Sequence, residues 1–496
     1  MYRSNVLDDS MLSTLILGFR RLRALDLHEL KITRVPNSIG KLIHLKYLDL
    51  SFNKDIETLP DSITTLLNLQ TLKLCSCEGL KELPKDMREL VSLKHLYNDG
   101  CDNLSHMPSG LGQMTSLQTL QLFIVSTSSH TGGLGELKKL NLRGTLEISH
   151  LERLKEVNSE SIVVNLREKQ HIEKLKLKWY RQNEVDNNED EKLLEDLWPH
   201  QNLKYLEVHQ YNGVKFTSWV SSLIYLVDLR IENGKRCRYL PSLSHLRFLK
   251  SLRLDTMNDL EYISDNDMSK KVPASSTILS TPFFSSLKSL TIEACPNLKG
   301  WWERTGRDLV ATTSASTPDY QQDQSHHSLP LFPRLSRLRI INCPKMTSMP
   351  LFPNLEESLY LENVSVKPLQ ETMSMNFLVA SSSSLLSSSS PLSKLNNMTL
   401  DSIEDIESLP AEWALNSLKE LRILDCPRVT SMSGAVRYLT SLCLLSIYIC
   451  EEFDPLRDMH DDGMEWRCLI CLRDLRFSDI PKLKSLPVGL QYASLI

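Results

Sequence analysis

Apolar residues along this chain alternate with polar ones for a few positions, lose the alternation, and then take it up again. Leu22, Leu45, Leu69, Leu93 and Leu117 each open the pattern L-x-x-L-x-(apolar), at intervals of 23, 24, 24 and 24. One unit runs through Leu45, Leu48, Leu50, Asn53, Ile56, Leu59-Pro60, Ile63 and Leu66. The next repeats it through Leu72, Leu74, Cys77, Leu80, Leu83-Pro84 and Leu90. A coiled coil would hold a period of about 3.5 throughout, whereas alternation over one short stretch is the mark of a strand buried on one face. A strand this short is not stable alone, so each unit must stack on its neighbours. The pattern therefore predicts an α/β solenoid: a leucine-rich-repeat array forming a curved horseshoe, with a parallel sheet on its concave face and irregular loops and short helices on its convex face.

Beyond residue 125 the interval varies but the openings recur, near Leu142, Ile172, Leu203, Leu226, Leu249, Leu287, Leu335, Leu355, Leu395, Leu418, Leu442 and Leu472. The Leu142 and Leu355 units each carry one extra residue before the next leucine. About 17 repeats result, on the logic of a nearest-neighbour array. The chain divides on this reading into a partial N-terminal cap (1–21), regular repeats (22–125), irregular repeats with an acidic loop at 183–191 (126–200), and irregular repeats with inserted loops (201–496). The long intervals 264–281, 303–328 and 371–390 are rich in Ser, Thr, Asp and Gln, a composition with too little apolar surface to order itself, and are expected to be mobile loops. The cap has only Leu7, Leu12, Leu15 and Leu17 to offer the first repeat.

Three residues after the strand's last inward position the residue is usually an Asn or a Cys: Asn53, Cys77, Cys101, Cys295, Cys343, Cys426 and Cys450. A turning chain leaves backbone polar groups inside, and an Asn amide can bond them while a small thiol packs there as a weak donor. Six of the eleven cysteines are thereby read as core residues.

Composition narrows the function. Lys plus Arg is 57 against 61 Asp plus Glu, a net charge of −4, so the whole-chain basic field of a general nucleic-acid binder is missing. No apolar run reaches the roughly 18 residues of a membrane span. The short apolar stretch 12–17 follows Asp8 and Asp9 rather than Lys or Arg, which argues against a signal peptide. A cytosolic chain with reduced thiols is expected, with nuclear residence also open, and the sequons at Asn103, Asn363 and Asn397 are expected to stay unmodified.

Chemistry-bearing motifs are weak. Cys468-Leu-Ile-Cys471 has the spacing of a zinc or redox pair but no second pair nearby, and it directly precedes a strand opening, so packing is the better reading. Met459-His460-Asp461 and His326-His327 read as coincidence and as solvated histidines. No G-x-S-x-G elbow and no G-x-x-x-x-G-K-[ST] loop occurs. No catalytic residue, metal ligand or cofactor is assigned, and an enzyme is not expected.

Alternation turns every second strand residue away from the core. The central outward positions are Asp49, Lys73, Tyr97, Gln121, Glu147, Lys176, Glu207, Arg230, Arg253, Thr291, Arg339, Tyr360, Thr399, Arg422, Ser446 and Arg476. From Lys176 onward they include Lys176, Arg230, Arg253, Arg339, Arg422 and Arg476 against the single acid Glu207, with Lys174, Lys178 and Arg337 flanking. This basic stripe is expected either to bind an acidic partner, because guanidinium groups fit carboxylates, or to be a solvated face that protects the sheet from adhesion.

Three stretches carry a family resemblance: the Leu-Pro units LKYLDLS at 45–51 with LPDSI at 59–63 and LPKDM at 83–87; LRGTLEI at 142–148 with NLREK at 165–169 and LKLKW at 175–179; and LWPH at 197–200 with NLKYL at 202–206, YNGVKF at 211–216 and Trp219. The Cys-Pro units at Cys295, Cys343 and Cys426 are similar too. Together they resemble the leucine-rich-repeat region of plant intracellular nucleotide-binding immune receptors of the coiled-coil class. The resemblance implies a protein partner, either a pathogen effector or a guarded host protein. It further implies contact with the parent receptor's nucleotide-binding module, which this chain lacks. The rival reading is a leucine-rich-repeat substrate adaptor of a ubiquitin ligase, which would need a helical docking module ahead of the repeats.

Overall fold

The computed structural model describes residues 9–126, 132–156, 164–180, 189–263, 284–301, 331–352, 355–380, 390–432, 434–457 and 463–492. They fall into two compact units, Met1–Gly213 with Ser222–Leu226, and Val214–Ser221 with Val227–Ile496.

In the first unit α1 (Asp9–Gly18) precedes five short strands, β1 (Ala24–Asp26), β2 (Tyr47–Asp49), β3 (Thr71–Lys73), β4 (His95–Tyr97) and β5 (Thr119–Leu120), paired in chain order and all parallel. Then follow β6 (Leu122–Ile124), β7 (Gly144–Ser149), β8 (Ile172–Lys178), α2 (Glu189–Asp196) and β9 (Tyr205–His209), again parallel neighbours. The second unit holds β10 (Asp228–Glu232), β11 (Ser251–Asp255), β12 (Ser289–Glu293), β13 (Arg337–Ile341), β14 (Ser358–Glu362), α3 (Lys367–Ala380), β15 (Asn397–Asp401), β16 (Glu420–Leu424), β17 (Leu444–Tyr448) and β18 (Asp474–Ser478). From β11 onward each strand pairs its predecessor along its whole length without a slip.

Because β5 and β6 belong to one repeat, the 18 described strands occupy 17 repeat positions, all at the predicted openings. The break between them has a local cause. Asn98 is buried, and its side chain both donates to Leu122 O (2.8 Å) and accepts from Leu122 N (3.0 Å), taking the place of a ladder bond. The extra residue of the Leu142 unit is absorbed as a register shift between Gly144 and Thr145, with Gly144 at φ +75°. In the Leu355 unit Leu359 still pairs Leu338.

The strand leucines Leu48, Leu72, Leu96, Leu229, Leu252 and Leu290 are buried, as are the turn residues Ile63, Met87 and Leu246. Each buried Leu or Ile contributes about 1.5–3 kcal/mol. In the regular repeats the convex turns are short 3-10 helices, such as Asn37–Lys41 and Asp61–Thr65, both entered through a proline. Proline suits the first turn because it lacks an N–H that would have no partner there.

The post-strand ladder forms as expected. Asn53 donates to Leu27 O (2.9 Å) and Leu50 O (2.8 Å) and accepts from Ile32 N (2.9 Å). The thiols donate to carbonyls in the same way: Cys77 to Leu50 O and Cys101 to Leu74 O at 3.2 Å, Cys343 to Ile341 O at 3.3 Å, Cys426 to Leu424 O at 3.2 Å. Cys237, unassigned from sequence, is buried as well, and the eleven cysteines are thiols rather than disulfides. Burial pushes the Cys77 thiol up to about 11 and the Cys426 thiol up to about 12.

Three expectations need correction. Residues 371–380, read as loop, form the C-terminal part of α3. The helix continues from Lys367, and Leu369 and Met373 are buried, so apolar contact offsets the polar composition. Glu189, Asp190 and Glu191, read as an acidic loop, open α2, where the N-terminal end of the helix dipole favours carboxylates. In α1 the buried residues are Leu12 and Ile16, whereas Leu15 and Leu17 are exposed. The serine-rich 381–389 and the whole of the other two inserts, 264–281 and 303–328, lie outside the described residues, as do His326-His327 and Met459-His460-Asp461.

Candidate functional site

Outward strand residues line up across each unit. In β2–β4, Asp49 pairs Lys73 in register and Lys73 pairs Tyr97. Lys73 Nζ lies 3.4 Å from Asp49 and over the rings of Tyr47 (5.3 Å) and Tyr97 (5.9 Å), an arrangement that attracts a cation to the ring faces. Burial works against the Asp49 charge, but hydrogen bonds from Ser51 and Tyr47 and the charge of Lys73 hold its carboxyl below the ordinary value.

In β7–β9, Lys176 stands between Glu147 and Glu207, at 4.0 and 3.8 Å, and Lys178 meets Glu147 at 3.0 Å. Buried Lys169 donates to Leu140 O at 2.6 Å. Burial holds its pKa below the ordinary lysine value.

In the second unit the central row reads Arg230, Arg253, Thr291, Arg339, Tyr360, Thr399, Arg422, Ser446, Arg476, each in register with the next. The structure brings the expected basic residues into one row and gives each an acid. Arg230 meets Asp228 at 3.1 Å. Arg253 meets Glu293 (2.7 Å), Asp255 (2.8 Å) and Glu232 (3.3 Å). Arg339 meets Glu293 at 2.9 Å and stacks over Tyr360 at 4.0 Å. Arg337 meets Glu357 at 3.5 Å, Arg422 meets Glu420 at 3.5 Å, and Arg476 meets Asp474 with Nε at 3.0 Å.

The expectation of a predominantly positive stripe is therefore corrected to a mosaic of arginines and acids. At the positions two places before and after the central ones only the basic residues Lys174, Lys178 and Arg337 enter that expectation, and the acids sit at those same positions: Glu232, Asp255, Glu293, Glu362 and Asp401 line one side, interrupted by Ile341 on β13. The signal was available in the same alternation, since positions i−2 and i+2 of a strand share its face. Burial, with the charges of Glu362 and Asp425, raises Asp401 above the usual carboxylate range.

Of the CxxC pair, Cys468 is half-buried and Cys471 exposed, so packing accounts for the first thiol and not the second. Among the described residues no group of three or more His, Cys, Asp or Glu could hold a metal ion, and no helix is long and apolar enough to cross a membrane.

Residues 134–257 match the R13L1/DRL21 LRRs family. The chain is 36% identical over 418 residues to the putative disease resistance protein RGA1 of Solanum bulbocastanum, covering 83% of this chain and 36% of that protein. It is 34% identical over 457 residues to the putative disease resistance RPP13-like protein 1 of Arabidopsis thaliana, covering 86% of this chain and 40% of that one. It thus spans well under half the length of these relatives. Among solved structures, a leucine-rich-repeat protein of Leptospira interrogans covers 90% of this chain and 94% of that one, at 17% identity and a TM-score of 0.45. The fold itself is carried by the strand register and the buried leucines.

Proposed function

From the membership of this chain in the leucine-rich repeats of plant disease resistance proteins, we propose that it is a non-enzymatic recognition region. It binds a pathogen effector, or a host protein that an effector modifies, on the outward strand face. The supporting observation is the in-register row from Arg230 to Arg476, in which side chains far apart in sequence stand on adjacent strands. Arginine and tyrosine at fixed spacing on a stacked sheet lose little freedom on binding, which favours them as interface anchors.

The same face, or the turns beside it, restrains a nucleotide-binding switch module located elsewhere in the receptor. Partner contacts replace the restraining ones, so a two-state equilibrium shifts by the difference in their free energies, on the order of 1–3 kcal/mol. The setting is cytosolic or nuclear. Charge reversal at Arg339, Arg422 and Arg476, with pull-down of candidate effectors and of the nucleotide-binding module, tests the proposal. Loss of at least one interaction is expected, and unchanged binding to every candidate would remove the outward face from recognition.

A further inference from the structure

The outward face changes character at β16. On β10–β15 the first and fifth strand positions are Asp228, Ser251, Ser289, Arg337, Ser358 and Asn397, then Glu232, Asp255, Glu293, Ile341, Glu362 and Asp401. All are polar but one. On β16 and β17 the first positions are Glu420 and Leu444 and the fifth Leu424 and Tyr448, so three of the four are leucine or tyrosine, and these three point outward and are partly exposed.

At the centre of this patch Ser446 pairs Arg422 on one side and Arg476 on the other. Ser446 is buried although its position faces outward, because a small side chain between two long ones forms the floor of a notch. Its rims are the two guanidinium groups. Each already contacts an acid two residues before it on its own strand, Glu420 and Asp474, and all four side chains are substantially exposed. Arg422 makes a single contact with Glu420, Arg476 grips Asp474 through Nε and Nη2 (3.0 and 2.5 Å), and solvent screens both pairs. Arg253 and Arg339 on the same row are held harder, Arg253 by three carboxylates and Arg339 by Glu293 and the Tyr360 ring.

Strands β16 and β18 stand about 10 Å apart, two strand spacings, a span that two arginine side chains can close onto one carboxylate. We propose that Arg422, Ser446 and Arg476 form a clasp for an aspartate or glutamate of the recognised protein, with Leu444 and Tyr448 receiving aliphatic or aromatic residues within two or three positions of that acid. The partner segment is extended and pairs one carboxylate with adjacent apolar side chains. Charge complementarity selects the acid, since the guanidinium fork offers two parallel donors to a carboxylate. The apolar neighbours add burial that the acid row of β10–β15 could not supply. This inference rests on the outward face being a recognition surface, and narrows it to three strands.

Panning of phage-displayed random twelve-residue peptides on the intact chain tests it. The enriched peptides should share an Asp or Glu next to Leu, Ile, Phe, Tyr or Trp. Their binding should fall about tenfold or more on Arg422→Ala/Arg476→Ala, as expected when charge-assisted hydrogen bonds are lost, and weaken as salt is raised. Ser446→Asp keeps both arginines but fills the notch with a resident carboxylate, and should abolish the same binding with the thermal midpoint retained. Lys54→Ala/Lys81→Ala, exposed lysines in connections away from the outward row, should leave it unchanged. Enriched peptides that lack an acid, or that bind the Arg422/Arg476 variant as well as the parent, overturn the clasp. If they depend on Arg230 and Arg253 instead, the face still recognises proteins and only the clasp fails. If no peptide enriches and no substitution on any strand alters effector pull-down, both readings fall.

Discussion

The repeats of β1–β5 and those of β10–β18 solve the same packing problem with different constraints. In the first set the interval is nearly constant, the strands are very short, and 3-10 turns, the first two led by proline, close the repeats. In the second the interval is irregular: the step from Leu290 to Leu338 is more than twice the step from Leu338 to Leu359. Yet these strands are longer and paired from end to end. Register is therefore held by what lies in the strand and just after it, two buried apolar side chains and then a further buried residue, which is Cys295, Cys343, Cys426 or Cys450 in four of these repeats and Met257, Val364 or Ile403 in three others, and not by repeat length. Lengthening a connection is cheap: each doubling costs only about 0.6 kcal/mol of closure entropy. A register slip would expose every strand leucine at once.

If the ladder is the common element, its thiols should behave alike in both sets. Cys77 and Cys101 in one, and Cys295, Cys343, Cys426 and Cys450 in the other, should react with a thiol reagent at neutral pH on the order of a hundredfold or more slower than exposed Cys471, because all six are buried away from the reagent and thiolate is the reactive form, which is disfavoured at all of them except Cys343, where the hydrogen bond with Cys295 favours it and shielding alone protects the thiol. Mass spectrometry of timed alkylation reads this directly. Fast labelling confined to Cys295 and Cys343 would show that the long-interval repeats open locally.

Core truncation sharpens the same contrast. Leu72→Ala and Leu290→Ala should each destabilise by about 2–5 kcal/mol, measured by urea unfolding. A much smaller loss for Leu290→Ala would mean that the long connection after it loosens its strand. At the ladder itself the two sets should differ. Asn53→Leu removes the side-chain partner of Leu27 O and Ile32 N and leaves Leu50 O the weak Cys77 thiol, and should cost about 2–4 kcal/mol, whereas Cys343→Ala removes one weak donor and should cost about 1 kcal/mol.

The smallest effect concerns two outward acids whose pKa values move in opposite directions. The Asp49 carboxyl is held below its ordinary value, so it stabilises the folded chain above about pH 4 and the contribution disappears as pH falls through the folded-state value. Asp401 is raised, so its ionised form is destabilising at neutral pH and that cost is relieved as pH falls through its folded-state value. Asp49→Asn should lower the thermal midpoint at pH 7 and Asp401→Asn should raise it, the Asp401 difference fading as pH falls toward the ordinary carboxylate value and the Asp49 difference only as pH falls below it. Equal signs would show that the two faces share one electrostatic environment.

Much of the fold is legible in the sequence because the period-two stretches and the Asn or Cys that follows them are local. The strand openings, the six buried thiols and the central outward row from Asp49 to Arg476 all follow from counting. The face chemistry is half legible. Arginines on the central row are visible, and so are the acids two residues away on their own strands, Asp228, Asp255, Glu420 and Asp474, but neutralisation by Glu232, Glu293 and Glu357 depends on which strand lies next to which after an interval of variable length. Lys169 and Asn98 escape such a reading altogether, since nothing in their neighbours' periodicity marks a buried polar side chain.

The sequence by itself determined the repeat, the side of each strand that carries leucine, and the thiol and amide positions that finish each turn, because each is a matter of spacing along one chain. Only the tertiary structure decided which charges meet, that α2 and α3 form where polar loops were expected, and that Ser446 lies between two arginines. Those outcomes depend on distances between residues far apart in sequence, which stacking sets and local pattern does not encode.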